Sequence, residues 1–67
     1  MKPNTRYYFE CESHLEEAWA IKGLQSRRAV LMLGEINNMP GKVAVVNADG
    51  RVVWGVHSHY FTEAETQ

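Results

Sequence analysis

Apolar and polar positions alternate with a period of two over several stretches of this chain, most clearly in Gly41 to His59, GKVAVVNADGRVVWGVHSH. Two Val-rich runs flank Asp49-Gly50, a pair suited to the positive φ angles of a tight type I′ turn, so the segment reads as a β-hairpin. A two-residue turn sets Ala48 opposite Arg51, Val46 opposite Val53, Ala44 opposite Gly55 and Lys42 opposite His57. Val43, Val45, Val52, Trp54 and Val56 then share an apolar face, the predicted core. The other face carries Lys42, Ala44, Val46, Ala48, Arg51, Val53, Gly55, His57 and His59, and is the predicted binding surface.

Upstream, Thr5 to Cys11 (TRYYFEC) is rich in strand-forming residues and divides Tyr7 and Phe9 from Tyr8 and Glu10. Ser13 with Glu16 forms the pattern of a capping box, which predicts a helix from His14. Leu15, Ala18, Trp19 and Ile21 give it an apolar arc, and Gly23 followed by Leu24 fits its end. A longer helix running to Arg28 is the competing reading, although Leu24 and Arg28 fall off the Leu15/Trp19 stripe. Ala29 to Ile36 contains four large apolar residues in succession, Val30 to Leu33, and is predicted to be a strand buried on both faces rather than a second helix. Asn37 to Gly41 supplies turn chemistry before the hairpin.

The predicted order is β-α-β-β-β, a single small α+β domain with one helix packed on a mainly antiparallel sheet. The alternative is a small SH3-like β-barrel with an added helix, built from the last three strands and the Tyr60-Phe61 segment. Residues 1–4 and 62–67 are expected to be flexible ends.

Composition narrows the function classes. The 67 residues include seven Lys and Arg against eight Asp and Glu, a formal charge of −1, which gives no global attraction to a polyanion. No apolar run approaches the roughly 18 residues that span a membrane, and no signal-peptide core follows the start, so a cytoplasmic protein with no membrane partner is expected. The single cysteine forms no internal disulfide. Domains of this size bury only about 60% of the unfolded chain's surface, which makes a homodimer the expected state.

No nucleophile, base and orienting group come together in the pattern. Ser58 stands between His57 and His59, but strand neighbours point to opposite faces, so no enzymatic activity is expected. The leading expectation is a binding or regulatory protein acting through protein–protein contacts, such as a bacterial or phage accessory factor or inhibitor. A nucleic-acid-binding module using Arg27, Arg28, Lys42 and Arg51 is a second possibility, with Tyr7, Tyr8 and Tyr60 as stacking faces. The third is a zinc-stabilised domain. His57 and His59, two apart on a strand, would share a face, and the Cys-x2-His pair Cys11 and His14 would complete the ligand set. Otherwise no cofactor is expected.

Overall fold

The computed structural model describes residues 1–64 of the chain. Five strands form one antiparallel sheet: β1 (Thr5–Phe9), β2 (Arg28–Glu35), β3 (Lys42–Val46), β4 (Val52–His57) and β5 (Phe61–Glu63), in spatial order β4-β3-β2-β1-β5. One α-helix, α1 (Glu16–Lys22), lies between β1 and β2, preceded by a 3₁₀ turn at Ser13–Leu15. The domain is therefore α+β with one helix on a sheet. The Tyr60-Phe61 segment adds more than a tuck onto the core. A 3₁₀ turn at Ser58–Tyr60 carries the chain across to pair β5 with β1 on the far side of the sheet from β4.

The core lies on one side of this sheet. Tyr7 and Phe9 of β1, Val30 and Met32 of β2, Val43 and Val45 of β3, Val53 and Val56 of β4, and Phe61 of β5 pack together with Leu24. The predicted division of β1 is the observed one, and the structure shows that Tyr7 and Phe9 face inward while Tyr8 is exposed. Helix α1 contributes less than its apolar arc implies: none of its residues is buried, and Ile21 is exposed. Its hold on the sheet is Trp19, which meets Phe9 edge-on at 5.4 Å and Tyr60 at 5.3 Å, while Lys22 Nζ stands 4.9 Å over the indole.

The helix ends as its sequence predicts. The Leu24 amide donates to Trp19 O and the Gly23 amide to Ala20 O, the paired bonds of a Schellman ending, and Leu24 is drawn fully into the core. The start differs. No side chain caps either the 3₁₀ turn or α1, so the Ser13/Glu16 capping box is not formed; a 3₁₀ turn takes up the first residues instead.

The hairpin departs from the two-residue turn. Val46 pairs with Val52 and Val45 with Val53, and the Asn47 amide donates to Arg51 O, leaving the three-residue loop Ala48-Asp49-Gly50. Gly50 has φ +84, as the last position of such a loop requires. This one-residue offset turns over the neighbouring part of β4, because strand side chains alternate with a period of two. Val53 becomes core, whereas Val52 and Trp54 are exposed, the reverse of the expected faces. A bulge at Gly55, φ +74, then restores the original frame. Val43 therefore pairs with Val56 and Lys42 with His57, as predicted.

Strand β2 is also not buried on both faces: Val30 and Met32 are inside, and Leu31 and Leu33 are exposed. At the termini, Asn4 donates its amide to Met32 O, and the Met1 amino group pairs with Glu35 at 3.0 Å. Thr62 and Glu63 belong to β5, and Ala64 is buried with its amide bonded to Arg6 O. The expected loose tail is thus strand as far as Glu63, while 65–67 lie outside the described residues.

Candidate functional site

The outward side of β2, β3 and β4 leaves several large apolar side chains uncovered. Leu31, Val46 and Val52 form one row, since Leu31 pairs with Val46 and Val46 with Val52. Next to it, Gly34 pairs with Ala44, and Leu33 and Trp54 stand to either side of that pair. Two small residues at the centre leave a shallow hollow, walled by Leu33, Ile36 and Trp54 and, on its polar side, by Glu35 and Asn37. Trp54 is 68% exposed, although it is among the largest apolar side chains in the chain, and Leu31, Leu33 and Val52 are each exposed. Beyond Leu31 the first row continues on β1 with Arg6.

Only part of the binding face predicted from the hairpin lies here. Val46 and Ala44 do, although Ala44 is just 3% exposed and forms the floor of the hollow. Lys42 and His57 pair at the far end of the hairpin. Val53 is excluded because the turn offset places it in the core, 7% exposed. Gly55 is the bulge residue, and Arg51 turns to the other side, where its Cδ lies 3.7 Å from where a Cβ on Gly23 would stand. Leu31, Leu33, Val52 and Trp54 were not predicted to line a surface. Equal hydrophobicity on both sides of β2 concealed the first two, and the assumed turn length concealed the others.

The basic residues do not form one patch. Arg27 and Arg28 border an open hollow beside α1 together with Glu16, and Arg28 also reaches a cleft lined by Gly23, Asn47 and Asp49. Arg51 approaches the same end of the molecule through Gly23. Lys42 is at the opposite end of β3, roughly 13 Å from Val46 at the rise of a strand.

The histidine and cysteine candidates are partly assembled. His57 and His59 Nδ1 atoms are 2.8 Å apart and both residues are exposed, even though His59 is in a 3₁₀ turn rather than on the strand. Cys11 and His59 border a common hollow with Glu10, Glu12 and Tyr60; His14 is not part of its lining. Burial, and after it the charges of Glu16 and Glu12, push the Cys11 thiol above its ordinary pKa, against a hydrogen bond from Ser26 that pulls it down. Among the described residues no group of three or more His, Cys, Asp or Glu side chains is placed to hold one metal ion.

Among the described residues no helix is long and apolar enough to cross a membrane. Comparison with protein-family models, curated proteins and solved structures finds no match for this chain.

Proposed function

We propose that the chain is a non-enzymatic protein–protein contact module, that its working surface is the outward face of β2, β3 and β4, and that a second copy of the chain occupies it. The observation that carries this reading is the position of Trp54, exposed beside a hollow with Gly34 and Ala44 at its centre. A projecting indole next to a hollow is self-complementary under a twofold axis: Trp54 of each protomer fills the hollow of its partner. The exposed parts of Leu31, Leu33, Val52 and Trp54 together make a patch of a few hundred Å², against about 800 Å² per partner in a standard interface. A patch of that size matches the apolar centre of such an interface, with polar groups such as Arg6 completing the rim. A 67-residue domain with one thin helix also gains stability from covering this face.

Sedimentation of the purified chain at about 100 μM, well above the Kd of an ordinary dimer, tests the reading. A dimer that Trp54→Glu converts to a folded monomer, and that Thr62→Glu on the outer side of β5 leaves intact, is the expected result. A monomeric wild-type chain at that concentration, or a dimer indifferent to Trp54→Glu, overturns it.

A further inference from the structure

From the pair His57 and His59 we infer a surface site for a borderline divalent cation of the zinc type, held by the two Nδ1 atoms. The 2.8 Å contact brings the two ring nitrogens face to face. In a neutral pair one Nδ1 carries the hydrogen and the other accepts it. The position between them is therefore one where a hydrogen nucleus and a metal ion compete. Zinc–nitrogen bonds of about 2.0–2.1 Å at a tetrahedral angle require the nitrogens about 3.3 Å apart, so a small opening of the pair admits the ion. When it enters, the ring that donated through Nδ1 takes its hydrogen on Nε2 instead. Both rings remain neutral, and the two lone pairs face the metal.

The pair is also held in place. The His59 ring lies on Tyr60 at 4.3 Å, and Tyr60 packs in turn on Phe9 at 5.6 Å and Trp19 at 5.3 Å, which ties one ligand to the aromatic core. His57 ends β4, where ladder pairing with Lys42 holds its backbone. Imidazole donors select zinc and its neighbours over magnesium or calcium, which take oxygen ligands. Water completes the coordination, since the described residues gather no third ligand. The site accordingly binds reversibly and does not hold the fold together.

Zinc titration of the purified chain by calorimetry, followed in parallel through the imidazole NMR signals, tests this. One saturable zinc per chain is expected, with His57 and His59 signals moving and those of His14 still. His57→Ala and His59→Ala should each weaken binding by at least about tenfold, the scale on which even outer-shell losses act at metal sites. His14→Ala should leave it unchanged. The absence of saturable binding up to about 1 mM zinc, or equal affinity in both alanine variants, overturns the site. Zinc-induced shifts centred on His14 do so as well, and that readout does not depend on the variants.

Discussion

Val46 faces Val52 across the hairpin, not Val53, and this single offset decides which side chains of β4 are core and which are surface. Val53 and Trp54 are chain neighbours with opposite fates: the first joins the buried cluster and the second stands in solvent.

The offset predicts unequal responses to the same chemical change. Val53→Glu buries a charge with no partner and should unfold the domain, because that penalty is comparable with the few kcal/mol that stabilise a chain of this length. Trp54→Glu and Val52→Glu should keep the far-UV CD spectrum of the wild type. Urea melts of the three variants give the comparison, and a folded Val53→Glu protein would refute the face assignment.

Gly55 should tolerate substitution poorly. Its φ of +74 strains any β-carbon, and a Cβ there would stand 3.4 Å from Met39 Cε. Gly55→Ala is expected to lose about 1–3 kcal/mol in urea denaturation, with Gly55→Asn losing less because asparagine visits this region more readily.

Asn47 joins the hairpin to the end of the helix. Its Nδ2 donates to Gly23 O at 2.8 Å, and its Oδ1 accepts from the amides of Asp49 at 3.0 Å and Arg51 at 2.9 Å. Asn47→Ala removes all three contacts and should destabilise by about 2–3 kcal/mol. Asn47→Asp keeps the two turn contacts but places a carboxylate oxygen against the Gly23 carbonyl. Its loss should therefore appear as faster amide exchange around Gly23 and Leu24, while the turn amides stay protected.

Cys11 should alkylate slowly. Because burial, Glu16 and Glu12 raise its pKa in the folded state, the pH–rate profile for iodoacetamide should rise later than that of an unfolded cysteine, whose pKa is about 8.5. Glu16→Gln should move the profile toward lower pH. The linked effect on folding has a definite sign: the native state keeps its proton longer, so the stability from this group is full below the unfolded pKa and falls as pH rises toward the folded one. Cys11→Ser should abolish that alkaline decline.

Much of this fold was legible in local chemistry. Gly23 and Leu24 announced the helix end, and Lys42/His57 and Val43/Val56 pair as the alternation implied. The inversion of Val52, Val53 and Trp54 was not read, because Asp49-Gly50 suits both a two-residue turn and the end of a three-residue one. Two signals pointed the other way. Asn47 is a residue whose side chain bonds the backbone two positions on, as it does here to Asp49, and an isolated glycine within a strand, Gly55, marks a bulge. The outer patch was harder to see. In Val30–Leu33 every residue is apolar, so alternation has no contrast to report, and only the sheet shows Leu31 and Leu33 turned outward. His57 and His59 do come together as their spacing suggested, but through the 3₁₀ turn after β4 rather than as alternate residues of one strand.

The turn at Gly50 and the bulge at Gly55 behave like an insertion and a compensating deletion in a reading frame. Between them four side chains, Arg51 to Trp54, are read out of phase, and beyond them the message resumes unchanged. A tryptophan reaches the surface of this protein because two glycines allow the frame to slip and then to recover.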